Sequence, residues 1–443
     1  MLQKGDRKLI NAWTFYDWAN SVYPLVITTA VFPLYFLSVT GGDDKPIEFL
    51  GQHFTNTEIY SYTLSAGFLI VAIISPILSS IADYIGNKKK FLKFFLYLGS
   101  LSVMSLFFFD SRERLWVGVT GSMLAGVGFW GSLVFYNAYL PEVAHPEQQD
   151  EVSAKGFIKG YLGSVILLLF ILTMILHPEW YGFVSAPLKE GEYAPAMVYK
   201  ISFVIVGLWW WGFAQYTLAY LPYNVHKRKP DPDYIFKGYR ELRQVLRELK
   251  DYYTLKVFLI AFFLFSAGIQ TIIVLASSFG KKELGLPTGK LIITILLVQL
   301  VAVLGAYLFA GISKRIGNIG TLKITLIIWV VVTVAAFLLP GKSPHVDLYF
   351  YALGGLIGLV LGATQTLARS TYSKLMPEDT PDTATYFSFF DVTEKIAIVT
   401  GTSMFGFLIG ITHSMRTSVL VLSVFFLAGL VALFFMKRTK YVQ

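Results

Sequence analysis

Among the charged side chains within or beside long apolar stretches of this 443-residue sequence, Asp17, Arg369, Asp391, Glu394 and Lys395 stand out for their depth. Inside a bilayer each charge costs roughly 3 kcal/mol or more unless it is paired. Asp391 and Lys395 are four apart, so on a helix they share a face, whereas the neighbours Glu394 and Lys395 point about 100° apart. Arg369 lies at similar depth and is expected to pair with Asp391 or Glu394. Two chemistries fit this group. One is a structural ion-pair lattice near a cytoplasmic gate. The other is proton exchange at Glu394 or Asp391, since burial favours the neutral form of a carboxyl, with Lys395 or Arg369 holding a carboxylate. Asp17 precedes an apolar run, where it either caps the helix start or binds a cationic group.

A second set is polar but mostly uncharged: Asn20, Tyr23, Tyr136, Asn137, Lys159, Gln270, Thr271 and Gln365. Amides facing lipid are costly, so these are candidates to line a substrate cavity. Each is alternatively an interhelix hydrogen bond. Other chemistries lack their residues. The sequence has no Cys and only six His, none of them mid-span, which leaves no thiol nucleophile and no metal-ligand set. No Gly-x-x-x-x-Gly-Lys-Ser/Thr run is present to cradle nucleotide phosphates. The expectation is a protein that is not an enzyme and carries no cofactor or metal.

The elements that must position these residues are long and apolar. The chain is 55% hydrophobic, 16% aromatic and only 15% charged, against about 25% charged in soluble domains. Its apolar residues fall into twelve segments, at 22–40, 59–81, 91–109, 115–139, 156–176, 198–222, 256–279, 290–312, 321–339, 348–368, 386–411 and 417–436. About 20 helical residues cross a bilayer core, and lipid forbids unpaired backbone. The expected fold is therefore an all-α membrane protein of twelve transmembrane helices. With the N-terminus inside, 26 Lys and Arg fall on cytoplasmic segments and ten outside, so both termini are read as cytoplasmic. The net charge of +9 thus reports orientation and not nucleic-acid binding.

The chain divides into a six-helix bundle over 1–222, a cytoplasmic linker over 223–255 and a second six-helix bundle over 256–443. In the linker, Pro230, Asp231, Pro232 and Asp233 read as a helix start. Ile235, Tyr239, Leu242, Leu246, Leu249 and Tyr253 then form one apolar face. Lys237, Arg240, Arg243, Arg247 and Lys250 lie opposite. This amphipathic helix rests either on the membrane surface or on the protein's own underside. The bundles echo each other: Ile85, Gly86 and Asn87 match Ile316, Gly317 and Asn318, and Leu140, Pro141 and Glu142 match Met376, Pro377 and Glu378. Trp209, Trp210 and Trp211 cannot all face one way, so at least one packs inside. The glycines at 354, 355, 358 and 362 are read as helix-packing positions.

Ser80, Asp83, Gly86 and Lys88–Lys90 resemble the loop signature of the major facilitator superfamily, with Lys in place of the usual Arg. The physics suits a gate: a tight Gly turn, an acid facing a helix end, and basic residues at the headgroups. The second copy, at Lys314, Arg315, Gly317 and Asn318, has no acid, and a weaker latch is expected there. The stretch from Trp13 through Tyr16, Asp17, Trp18, Asn20 and Tyr23 to Pro33 and Tyr35 resembles the vacuole-effluxer branch of that superfamily. Tyr136 to Glu142, Gly268 to Thr271, Arg369 to Tyr372 and Phe387 to Asp391 match as well. The branch pattern has an acid before Gly268, where this chain has Ala267.

The resemblance spans essentially the whole chain. It implies two six-helix halves related as parallel repeats, with a substrate site between them near mid-membrane. It also implies a secondary transporter of a small polar solute working by alternating access, with amino-acid export as its substrate reading and proton coupling open. The alternatives are a lipid or lysolipid transporter, or a receptor or scaffold that keeps the fold without transport. The expected partners are a small-molecule substrate, protons and the lipid bilayer. A monomer in a bacterial cytoplasmic membrane is expected.

Overall fold

The computed structural model describes residues 2–41, 47–49, 51–186, 194–223, 234–341, 343–377 and 380–437, with the side chains of 57, 234–239, 241 and 250 left aside. Helix after helix follows from long apolar sequence, and several of the described reversals have a local cause. α1 (Arg7–Thr40) ends at Gly41 in the left-handed conformation. A short hairpin, β1 (Ile47–Phe49) and β2 (Gln52–Phe54), lies between the first two spans of the all-α fold. α2 (Asn56–Ile85) starts with a capping box between Thr55 and Glu58. It stops at Gly86, whose φ of 73° suits a residue without Cβ. Asn87 then caps α3 (Lys88–Ser105) by accepting from the Lys90 N–H. α4 (Leu115–Ala138), α5 (Gln149–Leu176) and α6 (Ala196–Tyr220) complete the first half.

α7 (Tyr234–Asp251) is the linker helix. α8 (Tyr253–Lys282) opens the second half. The helical stretch Thr288–Leu338 is broken at Gly317, with φ 76° and ψ 164°. It therefore holds two spans, α9 (288–316) and α10 (318–338). The second gate loop is nearly absorbed into helix where the first is an open turn. α11 (Val346–Leu375), α12 (Thr383–Thr412) and α13 (Met415–Phe434) finish the chain. Among the described residues, every helix numbered here except α7 is a membrane span, giving twelve in two six-helix halves with both termini cytoplasmic.

The first span differs from expectation. It begins at Arg7, well before residue 22, and its cap is Asp6, which accepts from the Lys8 N–H at 2.7 Å. Asp17 is inside the helix, so its capping role is corrected. Hydropathy missed these residues because Arg7, Lys8, Asn11, Asp17 and Asn20 are polar, while Trp13, Tyr16 and Ala19 between them are buried in the fold. Between Pro24 and Pro33 the helix widens into a π-helix over Tyr23–Val31. Proline withholds an N–H and crowds the preceding turn, and the wider winding relieves both.

Glycines set the closest helix approaches, as the packing reading expected for the α11 run. A Cβ on Gly305 would lie 2.0 Å from the Leu359 carbonyl oxygen, and one on Gly362 would lie 2.1 Å from that of Ala302. α9 and α11 thus touch backbone to backbone. Gly355 has open space around it and plays no such part. Trp210 is fully buried, Trp209 donates to the Trp18 carbonyl at 3.2 Å, and Trp211 faces outward.

The linker helix packs against α2, and Tyr386 at the start of α12 donates to Glu248 at 3.1 Å. Of the two placements, this is the protein's underside. The apolar face is shifted from the expected one: Val245 is buried, whereas Leu246 is exposed. Pro230–Asp233 and the side chains of Ile235, Lys237, Tyr239 and Lys250 lie outside the described residues, as does Glu378.

Candidate functional site

Between the halves lies a cavity of about 400 Å³. The first half contributes Asn20, Tyr23 and Thr28 from α1, Thr63 from α2, Phe129 and Trp130 from α4, and Tyr161 from α5. The second half contributes Phe262, Phe265 and Gln270 from α8, Gln365 from α11, and Phe390 and Glu394 from α12. The π-helical turn puts Tyr23, Thr28 and Thr29 on this wall. Of the sequence candidates, Asn20, Tyr23, Asn137, Gln270 and Gln365 reach the cavity. Asn20 Nδ2 is buried without a protein partner, and Gln365 accepts from Tyr161 at 2.7 Å. Three candidates are corrected. Lys159 donates to Thr14 at 2.7 Å and lies over the Phe15 ring, away from the cavity. The Thr271 hydroxyl bonds back to the Ala267 carbonyl one turn earlier. Tyr136 stands behind the wall, donating to Asp17 Oδ2 at 2.8 Å.

Arg369 and Asp17 form the cavity's cytoplasmic floor. Arg369 Nη1 lies 3.2 Å from Asp17 Oδ2 and 3.4 Å from Asn137 Oδ1. Its Nε donates to Ser153 Oγ at 2.9 Å and its Nη2 to the Ser153 carbonyl at 2.8 Å. The expected pairing of Arg369 with Asp391 or Glu394 is therefore corrected: the guanidinium crosses to the other half, toward the cationic-group reading of Asp17. The packing of α11 against α5 brings it there, and Gly156 leaves the room. A Cβ at Gly156 would sit 2.4 Å from Asp17 Oδ2 and 2.9 Å from Arg369 Nη2. Ser153 and Gly156 carried no signal in the sequence, since their contribution is a carbonyl, a hydroxyl and an empty volume.

Higher on the opposite wall, Lys395 Nζ lies 3.0 Å from Asp391 Oδ1 and 3.2 Å from Glu394 Oε2. The i,i+4 pair follows from helix geometry. The neighbour pair forms too, because the long Lys and Glu side chains bend toward each other. Glu394 also accepts from Gln270 at 3.0 Å. Lys395 rests 3.6 Å from the centroid of Trp130, a ring of the other half. Asp391 Oδ2 is buried with no hydrogen-bond partner. Two carboxylates thus share one ammonium, and one carboxyl oxygen is left bare.

Below the floor, two latches close the cytoplasmic side. Asp83 accepts from the Ala384 and Thr385 N–H groups at 3.2 and 2.7 Å and from the Thr385 hydroxyl at 2.8 Å. An acid at a helix start meets free N–H groups and the positive end of the dipole. Lys88 bridges Asp83, Glu142 and Thr383. The second latch is not weak, which corrects the expectation from its missing acid. The acid comes from the other half: Asp150 accepts from Asn318 at 2.7 Å and Ser313 at 3.0 Å, and pairs with Lys374 at 2.8 Å. Lys314, in the place equivalent to Asp83, pairs with Glu151 at 2.9 Å. The two latches have opposite polarity. With the cytoplasmic side shut, the cavity runs outward past Thr28 and Thr63.

A family model described as vacuole effluxer Atg22 like matches residues 5–442. The chain is 31% identical over 440 residues to an uncharacterized MFS-type transporter, YxiO, of Bacillus subtilis (strain 168), covering 98% of this chain and 96% of that protein. It is 25% identical over 434 residues to autophagy-related protein 22 of Pichia angusta, covering 86% and 75% respectively. Among solved structures, the human organic anion transporter MFSD10 superposes with a TM-score of 0.72 at 13% identity, covering 97% of this chain and 100% of that one. FucP, a major facilitator transporter in its outward conformation, gives 0.69 at 14% identity, covering 98% and 99%.

Proposed function

The chain belongs to the family of vacuole effluxers like Atg22, within the major facilitator superfamily, and from that membership we propose that this transporter exports amino acids by alternating access, driven by inward proton flow. The observation that carries the reading is the cavity wall. Arg369 on the floor and Glu394 on the side are set among Phe129, Trp130, Phe262, Phe265 and Phe390. A zwitterion with an apolar side chain matches that distribution: opposite charges at two points and rings between them. A cavity of this size also favours transport over a scaffold role. The lipid alternative is disfavoured by closed lateral seams, with α5 meeting α9 through Ala154, Ala306 and Ala310 and α2 meeting α12.

Proton coupling is assigned to Asp391, Glu394 and Lys395. Two carboxylates beside one ammonium leave a net negative charge at membrane depth, which one proton neutralises. Taking that proton from outside and releasing it inside returns the site to its starting charge once per cycle. Asp83 and its partners act as the gate, and the protein is read as a monomer of a bacterial cytoplasmic membrane.

Proteoliposomes test this. Phenylalanine efflux is expected to accelerate when the outer medium is made acidic, and Glu394→Gln is expected to abolish that acceleration. Flux indifferent to the gradient and to Glu394→Gln would remove proton coupling. A flat thermal-shift screen with amino acids at millimolar concentration would remove the substrate reading, because a bound small molecule raises apparent stability.

A further inference from the structure

Every group that holds Arg369 belongs to the first half, while Arg369 itself belongs to the second. The guanidinium lies 4.1 Å from the Phe157 ring centroid, 5.0 Å from Trp13 and 5.6 Å from Tyr136. It is met by the Asp17 carboxylate, the Asn137 amide oxygen, and the hydroxyl and carbonyl of Ser153. Three aromatic faces, a carboxylate and neutral acceptors make a cation-binding box. The box is assembled without Arg369: Trp13 stacks on Tyr136 with centroids 4.5 Å apart, its indole N–H donates to the Tyr136 carbonyl at 2.8 Å, and the Tyr136 hydroxyl fixes Asp17.

We propose that this box is a binding site for the substrate's ammonium group when the cytoplasmic side is open, and that Arg369 is a tethered competitor which expels that group as the halves close. This inference rests on the amino-acid export reading and adds the place where the substrate is first held. The geometry gives the reason. The inter-half contacts of Arg369 cannot survive parting of the halves, because its α11 backbone moves with the second half. Parting leaves Asp17 facing a water-filled cleft with its aromatic walls intact. A soluble ammonium group then takes the vacated place. When the latches re-form, Arg369 returns at an effective concentration no free solute matches. The displaced ammonium moves up the cavity toward Glu394, and the solute carboxylate can follow Arg369. Export then requires no affinity difference built into the walls. The competitor supplies it.

The box can be tested apart from transport. Arg369→Ala vacates it. Purified Arg369→Ala is expected to gain a few degrees in Tm with millimolar methylguanidinium or phenylalaninamide, and nothing with N-acetylphenylalaninamide, which has no ammonium. Wild type, whose box is filled, is expected not to respond to either cation. Asp17→Asn/Arg369→Ala is expected to lose both responses. Arg369→Met, which keeps an apolar stem against Phe157, gives the same readings if the alanine variant does not stay monodisperse. No shift with either cation in a folded variant, or a shift that survives Asp17→Asn, overturns the box. A shift with methylguanidinium but none with phenylalaninamide overturns the substrate role while leaving the cation site, and that failure falls on the amino-acid reading.

Discussion

Removing one member of the Arg369–Asp17 pair strands a buried charge. Asp17→Asn and Arg369→Gln are each expected to cost roughly 3–5 kcal/mol of stability. The double variant leaves no bare charge and is expected to regain part of that loss. Melts of wild type and the three variants in one detergent measure the coupling, and strictly additive losses would deny it. At the same scale, the pairing of Asp391 with Lys395 was legible because it is local, four residues along one helix. The partner of Arg369 was not, since hydropathy places a charge at a depth without saying which helix face meets it. Lys159 failed for a related reason. It lies at the depth of the cavity, but the turn of α5 directs it to Thr14.

The α9–α11 crossing depends on glycines with no spare volume. Gly362→Val is expected to overpack the contact with Ala302 and to cost about 1–3 kcal/mol. Gly355→Val, about two turns away with nothing within 4 Å of its would-be Cβ, is expected to be neutral. The fraction of each protein eluting as a single species after mild heating separates them, and equal losses would contradict the contact. Span positions were readable from apolar runs, and the Gly-Asn pairs marked both reversals. The start of the first span was not readable, because its first turns carry Arg7, Lys8, Asn11, Asp17 and Asn20 among the aromatics, which lowers their hydropathy without shortening the helix. The linker helix was visible as a period of 3.6, but its docking face was set by Tyr386 and Glu248, a contact outside any local pattern.

For the whole molecule, the latches decide which side is open. Asp83→Asn removes the carboxylate that meets the α12 start, and the population is expected to shift toward the cytoplasm-open form. The chain has no native Cys, so single-cysteine labelling has no background. Ser153→Cys is expected to react several-fold faster with a membrane-impermeant maleimide from the cytoplasmic side when Asp83→Asn is present. Thr28→Cys is expected to react more slowly from outside. Unchanged rates at both positions would show that the latch does not set the equilibrium. The sequence displayed the first latch as a motif and concealed the second, whose acid, Asp150, is carried by a different half from its loop. That swap has a consequence for assembly. If the first half met a copy of itself, Asp83 would confront Asp150 and Glu151; if the second met its copy, Lys314 would confront the exposed N–H groups that begin α12. Like meets like in both cases, so each half is a poor mate for its twin and a good one for its sibling. Halves made as separate polypeptides should therefore find each other in the membrane and ignore their own kind.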